Sequence, residues 1–417
     1  MTTGRIEQAY SEARERYAEF GADADRVLDV LTSTPLSVHC WQGDDVSGFE
    51  TSRATLAGSG LAVTGSYPGR ARNADELRKD LDKALSLIPG RHRVNLHAMY
   101  GEFAGMVDRD AIGPEHFKGW VDWARERGLG LDFNATLFAH PKAQSGFTLS
   151  STDEAVRRFW VEHVRRSREV SAFLGRELKN LCIHNLWIPD GAKDAVVDRW
   201  ERRTLLRKSL DEIFASTYPV TETKDSLESK LWGIGSEAFV VGSHEFYMGY
   251  ALSRGLLLCL DLGHFHPTES VADKVSAILQ FSGELLIHVS RGVHWDSDHV
   301  PVFDDRLRDV MSEVVRAQAL NRVHFALDYF DASMNSVAAW VIGARATLKA
   351  LLAALLEPTA RLRELDPTGR LFLLEQAKTM PLGTVWDYYC LRAGVPLEQD
   401  WMVDIRRYES GVLSGRQ

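Results

Sequence analysis

Acidic and imidazole side chains collect in the middle of this chain in a pattern suited to divalent ions. Leu227-Glu228-Ser229-Lys230, Cys259-Leu260-Asp261-Leu262-Gly263-His264, Leu286-Ile287-His288-Val289 and Ala326-Leu327-Asp328 each carry a ligand-type residue. A fifth segment, Trp295-Asp296-Ser297-Asp298, follows the third. Three of the five follow apolar, strand-like runs, and Glu228, Asp261, His288 and Asp328 stand one strand–helix unit apart. Carboxylates and imidazoles without thiolates suit a hard or borderline ion such as manganese or magnesium. Taken singly, an Asp at a strand end is an ordinary turn former or helix cap. A single His on an apolar strand is an ordinary core residue. Their concentration at consecutive strand ends distinguishes them.

Four consecutive strands offering Glu228, Asp261, His288 and Asp328 would hold one ion among them. His264 follows a glycine that permits a tight turn, and Asp296 and Asp298 share one face of an extended segment. Together these three would hold a second ion. Two neighbouring ions can grip adjacent oxygens of one substrate and stabilise charge developing there. His266 and His299 flank these motifs and complete neither set. Lys230 is two residues from Glu228, on the same strand face. It is either a donor to a substrate oxygen or half of a structural ion pair. His97 ends a strand, where it meets a substrate hydroxyl or caps and packs. Trp41, Phe133 and Trp187 end three others, as sugar-stacking faces or as the upper core layer. Met99 either lines an apolar subsite or packs.

The elements that must position these groups are legible as an alternation. Eight β-like runs occur at 36–40, 94–97, 131–133, 182–187, 227–230, 256–261, 285–289 and 323–328, with helical periodicity between most of them. Strand–helix alternation implies a parallel sheet, and eight units imply a closed (β/α)8 TIM-type barrel of the α/β class with its active site at the strand ends. An open doubly wound sheet ranks behind, because no GxGxxG or Walker pattern is present. The division expected is an N-terminal helical segment over 1–34, the barrel over 35–332 and a C-terminal helical extension over 333–417. The extension reads as an arm that packs on a neighbouring subunit.

The 417 residues carry a net charge of −9, which disfavours a nucleic-acid partner. No signal-peptide pattern opens the chain, and its apolar runs are too short for a membrane span. Cys40, Cys182, Cys259 and Cys390 are scattered without a CxxC, as in a reduced cytoplasmic protein.

Longer motifs add a family. Trp41-Gln42-Gly43-Asp44-Asp45-Val46-Ser47-Gly48-Phe49-Glu50, Asn185-Leu186-Trp187-Ile188-Pro189-Asp190-Gly191 and Gly263-His264-Phe265-His266-Pro267-Thr268-Glu269 resemble L-rhamnose isomerase. So do His288-Val289-Ser290, Trp295-Asp296-Ser297-Asp298-His299 and Leu327-Asp328-Tyr329-Phe330-Asp331-Ala332-Ser333, and the resemblance spans essentially the whole chain. It implies a barrel with a helical extension, a homotetramer and a manganese requirement. It implies a structural site at Glu228, Asp261, His288 and Asp328, a catalytic site at His264, Asp296 and Asp298, and substrate contacts from His97 and Lys230. It also implies a mobile loop around 43–49 that reaches a neighbouring subunit's site. The departures are Ala135 for the family's proline, Ala139 for a serine, and Met99 where isoleucine is common. They bear on which aldose is preferred, not on the metal ligands.

Aldose–ketose isomerisation proceeds through an enediol made by a free base, or by a metal-assisted hydride shift between C1 and C2. The strand ends supply ligands and one lysine but no spare glutamate, which favours the shift, with Asp298 orienting a proton-carrying water and Lys230 polarising O1. A barrel epimerase would set two glutamates across one metal, a phosphodiesterase would have more histidines and a basic groove, and a binding protein would not need two ligand sets.

Overall fold

The computed structural model describes residues 2–50, 69–230, 238–293, 298–331 and 333–416. Eight strands run parallel: β1 (Leu36–His39), β2 (His92–His97), β3 (Gly130–Asn134), β4 (Cys182–Trp187), β5 (Thr223–Glu228), β6 (Leu257–Asp261), β7 (Leu285–Val289) and β8 (Val323–Leu327). Each pairs with the one before and the one after it, and β1 pairs with β8, so the sheet closes into a barrel without free edges. The α/β (β/α)8 architecture expected from the alternation is the one observed.

Helices α3 (Ala74–Leu85), α4 (Lys118–Arg127), α5 (Glu154–Leu178), α6 (Arg199–Ile213), α7 (His244–Arg254), α8 (Ala272–Leu279), α9 (Asp305–Arg316) and α10 (Ser336–Leu355) follow the strands in turn. They face the outward side chains of every strand. Leu258 and Leu260 of β6 are fully buried against them, while Leu257, Cys259 and Asp261 alternate inward. The barrel interior is stratified. Ile183, Leu257, Cys259, Leu286 and Ala326 form a separate apolar cluster inside it. Near the strand starts lies a polar floor. There Arg93 bridges to Asp132 at 2.8 Å, and Lys224 and His324 both reach Glu284, at 2.5 and 2.7 Å. Near the strand ends lie the ligand-type side chains.

β5 begins four residues before the apolar run that marked it in the sequence. Its first four residues, Thr223-Lys224-Asp225-Ser226, are polar because both faces find partners. Lys224 turns inward to Glu284, and Asp225 turns outward to the buried Arg168 of α5 and to His184. An apolar-run criterion cannot see a strand whose burial is satisfied by ion pairs.

α10 is apolar on nearly all sides because it packs against α9, α3, α2 (Ala24–Ser33) and β1. It is long and apolar enough to cross a membrane, yet most of it is buried in this protein as the last helix of the ring. The helices that lie beyond the ring are α11 (Thr359–Glu364), α12 (Pro367–Ala377), α13 (Leu382–Ala393) and α14 (Trp401–Gly411). α13 packs on α1 (Thr3–Phe20), with Tyr10 and Tyr388 stacked at 3.7 Å.

Candidate metal centre and active site

The strand registers bring the ligand-type residues level. Asp261 pairs with His288 across β6 and β7, and Glu228 pairs with Cys259 across β5 and β6. Asp328 follows directly on β8. One ligand atom each from Glu228, Asp261, His288 and Asp328 lies within 4.8 Å of the others. His288 Nδ1 stands 2.9 Å from Asp328 Oδ2, 3.4 Å from Glu228 Oε2 and 3.7 Å from Asp261 Oδ2. The four groups expected to share an ion therefore meet.

A second group joins them. Ligand atoms of Asp261, His264 and Asp298 also lie within 4.8 Å of one another, with His264 Nε2 3.2 Å from Asp298 Oδ1. Asp261 thus belongs to both groups, a sharing that strand-end spacing does not reveal. Asp296, placed in the second set by the sequence, lies outside the described residues.

Hydrogen bonds fix one side of four of these ligand-type residues. Ser290 Oγ and Gly263 N donate to Asp261 Oδ1, Asn185 Nδ2 donates to Glu228 Oε2, and Trp41 Nε1 donates to Asp328 Oδ1. His264 Nδ1 faces the Ser229 carbonyl at 3.0 Å, which places the proton on Nδ1 and leaves the Nε2 lone pair toward Asp298. What remains are buried atoms without hydrogen-bond partners, Asp261 Oδ2 and His288 Nε2, while Glu228 Oε1, Asp298 Oδ1 and His288 Nδ1 face other members of the same cluster. Buried polar atoms are otherwise almost always paired. Four carboxylates crowd two imidazoles and one ammonium here, so the space is short of positive charge. Both observations fit residues that hold divalent cations.

The electrostatics carry the same imbalance. Burial pushes the Asp261 carboxyl well above the usual range, and Asp298, Asp328 and Glu228 add to that against the pull of His264. Burial would also raise Glu228 and Asp298. His288 and His264 nevertheless hold Glu228 well below the carboxylate range, and Lys230 with His264 does the same for Asp298. Lys230 Nζ lies 3.1 Å from Asp298 Oδ2 and 5.4 Å from the Trp187 ring centre. The ion-pair and substrate-donor readings of Lys230 thus meet at one place, since its Asp298 partner lines the same cavity.

That cavity, of about 40 Å³, is lined by Trp41, Val46, His97, Asn134, Phe138, Trp187, Glu228, Lys230, His264, Asp298, Asp328 and Phe330. His97 sits edge-on to Trp41, with ring centres 4.7 Å apart, and its Nδ1 faces Thr136 Oγ1 at 3.1 Å. Burial and the Arg109 charge push its imidazole down to about 3, so it stays neutral as a hydrogen-bonding group. Two expected substrate contacts are not on the wall. Phe133 precedes Asn134, so the pleat turns it outward against Phe117. Met99 is buried beneath the 44–50 loop, where Phe49 N donates to its carbonyl. Asn134, Phe138, Val46 and Phe330 were not singled out from the sequence. Val46 and Phe330 lie within the Trp41–Glu50 and Leu327–Ser333 motifs, whereas the inward face of Asn134 is settled only by its pairing with His97.

A (β/α)8 barrel with a buried carboxylate–imidazole cluster at its strand ends defines a barrel enzyme whose site could hold metal ions. A family model for L-rhamnose isomerase (RhaA) matches residues 4–416. An L-rhamnose isomerase of Rhodopirellula baltica is 57% identical over 417 residues, covering 99% of this chain and 97% of that protein. One from Escherichia coli is 52% identical over 420 residues, covering 100% of each. Among solved structures, an L-ribulose 3-epimerase aligns with a TM-score of 0.47 at 13% identity, over 79% of this chain and 96% of that one. The chain belongs to the L-rhamnose isomerase family and is an isomerase.

Proposed function

We propose that this chain interconverts L-rhamnose and L-rhamnulose with two divalent ions, manganese first among them, by moving hydride between C2 and C1. Relatives named L-rhamnose isomerase match it end to end, which supports the substrate. One observation carries the chemistry. Among the described residues lining the cavity, each carboxylate (Glu228, Asp298 and Asp328) belongs to a ligand group, so none is spare to act as the free base of an enediol route.

Glu228, Asp261, His288 and Asp328 would hold one ion, and His264 and Asp298 with Asp261 the other. When bound, such ions supply Lewis-acid polarisation of two adjacent sugar oxygens. The chain's own groups do the rest. Lys230 Nζ donates to O1 of the open-chain aldehyde and stabilises the charge that grows there as hydride arrives at C1. The C2–H pair leaves C2 as the C2=O bond forms. The O2 proton passes to O1 through water oriented by Asp298, so atoms and charge balance. Neutral His97 donates to or accepts from a sugar hydroxyl, and the Trp41 and Trp187 faces exclude water. Free, buried cysteines support a cytoplasmic setting for this enzyme.

The test is turnover of L-rhamnose by chelated protein. Activity should fall at least about tenfold on metal removal and return with added Mn2+. Full ketose formation by thoroughly chelated protein would defeat the proposal.

A further inference from the structure

The interior strand faces hold one thiol beside the ligand groups. Cys259 points inward two residues before Asp261, in register with Glu228 on the neighbouring strand. One ligand atom each from Glu228, Cys259 and His288 lies within 4.8 Å of the others, and all three residues are buried. His288 Nε2 keeps no hydrogen-bond partner. Cys40, Cys182 and Cys390 are also free and buried, yet none joins a ligand group among the described residues.

We infer that Glu228, Cys259 and His288 form a second, deeper seat for the barrel ion, selective for thiophilic divalent ions such as zinc or cadmium. It shares Glu228 and His288 with the proposed structural site and replaces Asp261 and Asp328 by sulfur. A hard ion keeps to the oxygen-rich upper seat, because manganese and magnesium prefer carboxylates. A soft or borderline ion gains a thiolate by moving one pleat inward along β6. The Cys259 thiol gives its proton to solvent as the metal–sulfur bond forms, and no oxidation state changes. Asp261 is then left to His264 and Asp298, the other group it already adjoins. The identity of the barrel ion would thus set how negative the neighbouring site is.

This inference rests on the reading of Glu228 and His288 as ion ligands, and X-ray absorption separates the two. Metal-free protein is loaded with one equivalent of Mn2+ or of Zn2+. The manganese edge should show oxygen and nitrogen neighbours alone. The zinc edge should show a sulfur neighbour at about 2.3 Å, lost in Cys259→Ser. A zinc shell of oxygen and nitrogen only in the wild type overturns the inference whether or not the variant folds. Retention of sulfur in a folded Cys259→Ser overturns it equally. Failure of both ions to bind defeats the two-ion reading itself.

Discussion

Lys230 and Asp298 hold each other in the states that the proposed chemistry uses. The ammonium, 3.1 Å away, helps keep the carboxylate ionised in a buried place, and the carboxylate repays the burial of the lysine. Lys230→Met should leave the barrel folded and lower kcat by about 10²–10³, the usual cost of losing one donor to a developing oxyanion. Steady-state kinetics on a variant with an unchanged circular-dichroism spectrum checks this, and a loss confined to KM would contradict the O1 role. Asp44 makes a different kind of prediction. Burial pushes its carboxyl up to about 7, against hydrogen bonds from Tyr100 Oη and Gly48 N, both 2.6 Å long. The folded chain then keeps a proton that the unfolded chain loses near pH 4, so the folded state is favoured less as pH rises. Its contribution is full below about pH 4 and is lost as pH climbs through about 7. Asp44→Asn cannot ionise, so its Tm should fall less than that of the wild type between about pH 5 and pH 8. Thermal melts at the two pH values read the difference.

At the scale of elements, the loop after β1 is the strained piece. Asp45, Val46 and Gly48 all adopt the left-handed region, with φ of 61°, 58° and 69°. For a β-branched residue such as Val46 that conformation is costly, and Val46 lines the cavity. Gly48 is required where it stands, because an added Cβ would lie 2.8 Å from Met99 Cγ. The outer helices carry a separate consequence. On α12, Leu371 and Phe372 are 67% and 69% exposed, and Met402 and Val403 of α14 are open as well. Isolated exposed apolar residues are ordinary, but pairs on helices outside the ring suit an intersubunit contact. If 46.8 kDa chains assemble as the homotetramer proposed from the family resemblance, replacing Leu371 and Phe372 together by Asp should lower the mass measured by light scattering. An unchanged mass would remove α12 from the interface.

For the whole molecule, the barrel was legible because buried β-like runs such as Leu257–Asp261 and Leu285–Val289 alternate with helical periodicity. The four ligand-type residues of the first group were legible because an acid or imidazole at or just after the end of a buried run stands out. The outward turn of Phe133 was missed because strand ends alone do not give the pleat phase, which the pairing of Asn134 with His97 settles. The sharing of Asp261 was missed because it depends on where the His264 turn folds back, a matter of tertiary packing. The hydrogen bonds of Ser290 and Asn185 to the ligands left no pattern, since single polar residues near strand ends are common. The proposed chemistry reduces to one transfer, from C2 to C1 without passing through solvent. Incubating the protein with Mn2+ and L-rhamnose in D2O, and reading the ketose by proton NMR, tests that most directly. A hydride shift gives L-rhamnulose with both C1 hydrogens retained as protium. Extensive deuterium at C1, or no ketose at all, would contradict it.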